Sequence, residues 1–299
     1  MRNIIPESEQ IVALDTGIGW ALRHTEPVWI STFTNMRDVG YHFCISDIFL
    51  VEFLNQFETG RLTPAEFTHA IDQLNKCVSR RLPILPGKRQ LYQMAGIHDP
   101  ETPPTEDPKF TMAYSNATWG WLRSLSDPAS LQSTQARFTY NGQEYVCPFQ
   151  RGVASTELQS ERDDWRTFIR GFDLLPKDTL HRFRDEILEN MRHTVDGWAS
   201  CTPPMSTRLD LWQKSILETA IQRNQSVGAF NPESDRRRND AIDALLKLAF
   251  LLPAFVCTLD QNFISRFTPI DSFQKAWFVT PEQLAEAWSN GTNPRTAWP

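Results

Sequence analysis

Two short apolar runs, far apart in the chain, each stop at an acid, and they limit the fold more than any other feature. Ile11-Val12-Ala13-Leu14 ends at Asp15, and Ala254-Phe255-Val256-Cys257-Thr258 ends at Leu259-Asp260. Runs of this length without polar alternation suit strands buried on both faces, as in a parallel sheet. Helix signals surround them. Ser46 is an N-cap for a helix over Asp47–Phe57, which Gly60 closes. Thr63-Pro64-Ala65-Glu66 supplies a cap, a proline at the first helical position and an acid at the third, for a helix running to about Arg80. Ile18–Leu22 starts a short helix, Leu82–Leu85 and Val28–Ile30 read as short strands, and Gly87–Ala95 reads as a helix. The order predicts an α/β fold, a mainly parallel sheet flanked by helices.

The middle of the chain departs from this alternation. Residues 98–109, HDPETPPTEDPK, read as a loop leaving the core. A helix over Met112–Leu125 follows, then a hairpin whose strands flank Asn141-Gly142, a pair suited to a type I′ turn. Three helices come next, Thr156–Ile169, Lys177–Trp198 and Ser206–Gln225, with Phe168, Phe172, Trp198, Leu209, Trp212 and Ile216 as their expected shared core. After a linker at Asn231-Pro232, a helix over Arg236–Leu251 leads into the second acid-tipped strand. A strand at Lys275–Val279 and a helix opened by Thr280-Pro281-Glu282 close the chain. The expected organisation is a discontinuous core, 8–98 and 228–292, interrupted by a large, mostly helical insertion with a β-hairpin at 99–227.

Composition narrows the function classes. Hydrophobic residues are 40% of the 299, enough for a sizeable core. The net charge of −6 argues against a strong nonspecific grip on nucleic acid, which comes from Lys and Arg on phosphates. An enzyme whose metal ions meet the phosphate remains open. The five cysteines form no CxxC and read as reduced and buried; the six histidines form no HExxH zinc motif. The N-terminus has no apolar signal segment. The apolar stretch Ala241–Leu259 is interrupted by Asp243, Lys247 and Pro253, so it reads as a buried helix and strand rather than a membrane span. A cytoplasmic protein without a membrane partner is expected.

The acids carry the chemistry. Asp15 and Asp260 fall at the carboxyl ends of predicted strands, where open α/β sheets bind their ligands. Glu52 interrupts a very apolar helix, and Asp240 and Asp243 share a helix face three residues apart. Singly, each has a plainer reading: Asp15 as a turn residue, Asp240 or Asp243 at a helix N-terminus, Glu52 facing outward, Asp260 as a helix cap. Together, converging carboxylates need a cation, and hard oxygen donors suit Mg²⁺ or Mn²⁺.

The ordered set resembles the PIN-domain nucleases. The strand ending in Asp15-Thr16 is similar to that family's opening, and Ser46 with Glu52 is similar to its next helix. Asn239-Asp240-Ala-Ile-Asp243 and Thr258-Leu-Asp260-Gln-Asn262 resemble its later motifs, and Trp277-Phe-Val-Thr280-Pro281-Glu282 resembles its closing strand and helix. The stretches cover about a third of the chain. The insertion is larger than in compact members of the family. The resemblance implies metal ligation by Asp15, Glu52, Asp260 and one or both of Asp240 and Asp243. Thr16, Ser46, Thr258 and Asn262 would support them. The implied activity is Mg²⁺- or Mn²⁺-dependent endonucleolytic hydrolysis, of RNA rather than DNA, in a toxin or defence setting. A homodimer or an inhibitory protein partner is the implied assembly.

Arg236-Arg237-Arg238, beside the acidic helix start, could hold a nucleic-acid backbone or form a solvated helix face; Arg80-Arg81 and Lys88-Arg89 are weaker cases. The hairpin aromatics Phe138, Tyr140, Tyr145 and Phe149 could stack bases, but packing against insertion helices is the stronger reading. Asp15-Thr16-Gly17 also resembles an aspartic-protease triplet, but the chain has one copy in an α/β setting. Gly17 stands where haloacid-dehalogenase phosphatases have a second Asp. A non-catalytic PIN-like module binding RNA or protein is the rival from another class.

Overall fold

A computed structural model describes residues 4–87, 91, 107–125, 135–225, 231, 234 and 239–299. The chain opens with β1 (Gln10–Leu14), α1 (Thr16–Ala21), α2 (Trp29–Asp38), β2 (Tyr41–Ile45), α3 (Asp47–Glu58) and α4 (Pro64–Cys77). The middle holds α5 (Pro108–Ser124), β3 (Gln135–Tyr140), β4 (Gln143–Gln150), α6 (Ala154–Arg170), α7 (Arg184–Asp196) and α8 (Asp210–Gln225). The chain ends with α9 (Asp240–Leu246), β5 (Ala254–Cys257), α10 (Gln261–Arg266), β6 (Phe278–Val279) and α11 (Pro281–Ser289).

The fold is α/β, with a four-stranded sheet in the order β2-β1-β5-β6 whose strand pairs are all parallel. Every residue of β1, β2 and β5 is buried, as expected of a parallel sheet covered by helices. From β1 the chain moves outward to β2, then returns to the other side of β1 as β5. The order therefore reverses between β1 and β5, and the crevice outside their carboxyl ends is where such sheets bind ligands.

The caps explain several boundaries. The Ser46 hydroxyl accepts Phe49 N–H at 3.1 Å. Thr63 with Glu66, and Thr280 with Gln283, form complete capping boxes. In the hairpin, Asn141 and Gly142 both take positive φ, 49° and 79°, as a type I′ turn requires. The hairpin aromatics pack inward: Phe110 of α5 meets Phe138, Tyr140 and Tyr145 at ring distances of 5.4, 5.5 and 4.9 Å.

Several expected elements differ. Val28–Ile30 is not a strand; Trp29, Ile30, Phe33 and Met36 form the buried face of α2. Strand β2 was not foreseen, because His42 and Cys44 blur its apolar run. His42 can be buried because it hydrogen-bonds Ser79 Oγ at 2.9 Å and Glu9 Oε2 at 2.5 Å. Leu82–Leu85 forms only an isolated parallel bridge, Ile45 with Ile84. Ser115 of α5 bonds both N–H and C=O of Ile84 at 2.9 Å, capping that edge. The expected helix Lys177–Trp198 breaks at Phe183, where φ −109° and ψ 27° separate a single turn, Thr179–Arg182, from α7. Likewise Leu209 separates Met205–Arg208 from α8. The expected strand Lys275–Val279 is a 3-10 turn, Phe273–Trp277, followed by the two residues of β6. After α9 the chain tightens into a 3-10 turn, Lys247–Leu251.

The buried core runs from the sheet into the middle segment without a break, joining Val12 and Phe43 to Trp119, Leu158, Met205 and Leu209. Phe168 and Trp198, expected inside, are substantially exposed, whereas Leu209 and Ile216 are buried. Most of the helix expected over Gly87–Ala95, most of the loop at 98–109, and Arg236 to Arg238 lie outside the described residues. No helix among the described residues is long and apolar enough to cross a membrane. All five cysteines are free thiols, four of them buried.

Candidate functional site

Strands β1 and β5 are adjacent and parallel, Leu14 opposite Cys257, so the residues after them emerge side by side. Asp15 caps α1 by accepting Thr16 N–H at 2.8 Å through Oδ1. Its Oδ2 accepts the Thr258 hydroxyl at 2.7 Å. The same hydroxyl accepts Asp260 N–H at 3.1 Å. Fully buried Thr258 thus ties the two strand-end acids together. Asp260 is exposed and caps α10, accepting Phe263 N–H at 3.0 Å through Oδ1. One of its oxygens is therefore committed to the fold.

Glu52 comes from α3, which lies against α1. Gly19 permits that approach: a Cβ there would stand 2.7 Å from Phe49 Cζ and 3.0 Å from Phe53 Cε2. Burial pushes the Glu52 carboxyl upward; the neighbouring Thr16 hydroxyl and Arg162 oppose this, and the charge of Asp15 adds to it. Burial also raises Asp15, opposed by Thr258 and the Thr16 amide and reinforced by Asp260. Asp15, Glu52 and Asp260 thus share one electrostatic neighbourhood. The buried Thr16 hydroxyl lies beside the Glu52 carboxyl, without a geometrically complete hydrogen bond among the described residues. Ser46 serves α3 as its cap, and exposed Asn262 makes no side-chain hydrogen bond among the described residues.

Asp240 and Asp243 approach from α9. Asp240 Oδ1 and Asp243 Oδ2 each accept Arg266 Nη1 at 2.9 Å. Burial raises Asp243, with Arg266 and Lys247 opposing and the charges of Asp240 and Asp15 reinforcing. Burial pulls Lys247 down, while both aspartates favour its charge. Helix α6 packs against both α3 and α9, placing Arg162 near Glu52.

The sequence reading missed Arg266, Lys247 and Arg162. Lys247 had a usable signal, a lone charge inside the apolar run 244–252. Arg266 lies six residues after Asp260, a spacing that says nothing by itself, and Arg162 sits in the insertion. The expected contacts from Arg236, Arg237 and Arg238 fall outside the described residues, as do Lys88 and Arg89. Arg81 pairs with Glu9 at 3.1 Å.

The donors near Asp15 are all hard oxygens, carboxylate or hydroxyl, a set that fits Mg²⁺ or Mn²⁺ and not zinc. As the side chains stand, no three His, Cys, Asp or Glu among the described residues converge as a ligand group. Closing a shell around one ion would require side-chain rotation, and one oxygen each of Asp240 and Asp243 is already held by Arg266.

No family model matches this chain, and neither does any curated protein or solved structure.

Proposed function

We propose that this chain is a Mg²⁺- or Mn²⁺-dependent endonuclease, with RNA its preferred substrate. The observation that carries the reading is the Thr258 hydroxyl bridging Asp15 and Asp260 at the point where the strand order reverses. Glu52 and Asp243 stand within electrostatic reach of Asp15. The resemblance of these motifs, in their order, to PIN-domain nucleases supports the same reading and is the ground for preferring RNA. A divalent cation held there would polarise a phosphate oxygen and make a bound water acidic enough to attack at neutral pH.

The chain's own contribution is placement and charge. Thr258 and the Thr16 amide each hold one oxygen of Asp15 and so fix its carboxylate at the strand ends. The Thr16 hydroxyl, beside Glu52 and without a geometrically complete hydrogen bond among the described residues, is available as an additional oxygen donor. Asp243, beside both Arg266 and Lys247, can exchange its cationic partner without exposing an uncompensated charge. Glu52 and Asp15 repel one another in the absence of a cation, which favours binding one.

A second reading has one observation behind it. Arg266 already neutralises Asp240 and Asp243, an arrangement that also suits a PIN-like module binding RNA or protein without cutting. Cleavage of labelled single-stranded RNA and DNA with Mn²⁺, comparing wild type with Asp15→Asn, separates the two. The expected result is cleavage of RNA by wild type alone, abolished by EDTA. Inactivity of both proteins supports the binding module; equal activity of both removes this site from the chemistry.

A further inference from the structure

A cavity of about 280 Å³ lies on the insertion side of the acid cluster. Helix α8 forms one wall with Ser215, Thr219 and Gln222, and Phe267, Pro269 and Ile270 form an apolar wall after α10. Asp240, Asp243, Lys247 and Arg266 line the side that faces the acids. The volume lies at the small end of ligand pockets, which start at about 300 Å³.

Lys247 is the unusual member. It is buried, yet its ammonium makes one hydrogen bond among the described residues, with Ser215 Oγ at 3.1 Å. The rest of its environment is the Phe267 ring, 5.1 Å away, and the nearby aspartate charges. An ammonium carries three donors, and leaving donors of a buried charge unfilled is costly. Arg266 is exposed at the cavity mouth, and both its bonds run through Nη1, so Nε and Nη2 make none among the described residues and are open to a ligand. The cavity therefore presents two cations with spare donors, Lys247 and Arg266, beside the Asp240 and Asp243 carboxylates; the third carboxylate in its lining, Glu218, is held by Arg184. A metal ion that drew the Asp240 and Asp243 carboxylates away would leave both cations uncompensated toward the cavity. Arg and Lys so placed favour a phosphate, and the apolar wall opposite suits the face of a base.

We propose that this cavity holds one nucleotide of the nucleic-acid chain, beside the bond to be cut. Its phosphate lies on Lys247 and Arg266 and its base against Phe267 and Ile270. The nuclease reading supplies the identity of the ligand; the cavity and its spare donors stand without it. The insertion, through α8, then contributes directly to substrate recognition.

The test is calorimetric titration with adenosine 5′-monophosphate, in Mn²⁺ and in EDTA, of wild type, Thr219→Trp and Lys247→Met. Wild type should bind the nucleotide, on the order of tenfold more tightly with Mn²⁺ than without it. A short single-stranded RNA should displace it. Thr219→Trp fills the cavity and should lose the nucleotide while keeping its Mn²⁺ affinity. Lys247→Met should lose the nucleotide but bind Mn²⁺ more tightly, since a competing cation has gone; it decides the matter if Thr219→Trp does not fold. The proposal is overturned if wild type binds no nucleotide, if the folded variants bind it as wild type does, if inorganic phosphate binds equally well, or if RNA fails to displace it. Displacement by RNA with no cleavage would leave the cavity assigned and remove the nuclease reading. Cleavage by Thr219→Trp at the wild-type rate would do the reverse.

Discussion

Arg266 decides how the acids on α9 behave without metal. Its Nη1 holds Asp240 and Asp243 together at 2.9 Å each, and Asp240 is buried. Removing one partner of such a group leaves the other charges uncompensated, which costs more than the pairing itself contributes. Arg266→Ala should therefore melt at a lower temperature than wild type in EDTA. A divalent cation can take the place of the lost guanidinium, so Mg²⁺ should raise the melting temperature of Arg266→Ala more than that of wild type. The same variant should bind Mn²⁺ more tightly in a titration, since Arg266 and the ion compete for the same oxygens. If Mg²⁺ restores nothing, Asp240 and Asp243 are not metal ligands and their role ends with the ion pair. Asp15→Asn differs: Asn can still accept the Thr258 hydroxyl through its one oxygen, and although its NH2 cannot replace the bond from Thr16 N–H, a buried charge is removed at the same time, so the fold should hold while the ligand charge is lost. Circular dichroism and melting should be close to wild type even where cleavage is abolished.

At the scale of elements, the contact of α1 with α3 sets the distance between Asp15 and Glu52. A methyl group at Gly19 meets the Phe49 and Phe53 rings, both fully buried and without room to retreat. Gly19→Ala should cost about 1–3 kcal/mol in chemical denaturation, as overpacked cores do, and should reduce cleavage by moving Glu52. Ser46→Ala makes a useful contrast. It removes the α3 cap at a cost of about 1 kcal/mol while leaving the α1 contact alone, so its loss of activity should be smaller than its loss of stability suggests. Equal effects of the two variants on cleavage would mean that the α1–α3 spacing is not critical. What could be read from the sequence follows the same division. β1, β5, α3, α4, α11 and the hairpin were legible because each has a local cause: an unbroken apolar run, a cap or a type I′ turn. β2 was not legible, because its His42 is buried through partners at Glu9 and Ser79, distant in sequence. The breaks at Phe183 and Leu209 have no proline or glycine to mark them. The acids were found because they follow strands, whereas Arg266, Lys247 and Arg162 acquire meaning only when helices α6, α9 and α10 are brought together.

For the whole molecule, the cluster joins folding to pH and to metal. The Asp15, Glu52 and Asp243 carboxyls are each raised from their ordinary values, burial being the largest cause for each, and Asp243 is pushed up to about 7. A carboxyl whose folded pKa exceeds its unfolded one takes up protons on folding. Its folded form is thus favoured at low pH, and stability falls as pH rises from the ordinary carboxylate range through the raised values, levelling above them. Lys247, pulled down by burial, acts in the opposite sense and only toward alkaline pH. In EDTA, the contribution of this cluster to the melting temperature should therefore decline between weakly acidic and neutral pH. Asp243→Asn, which cannot lose a proton there, should show a shallower decline than wild type. A divalent cation can replace the proton on the same oxygens. Mg²⁺ should then stabilise wild type little at weakly acidic pH and increasingly as pH rises, and metal binding near neutrality should release protons. Calorimetry in buffers of different ionisation enthalpy measures that release directly. A Mg²⁺ stabilisation that is the same at every pH, with no proton release, would show that the ion binds elsewhere on this acidic protein.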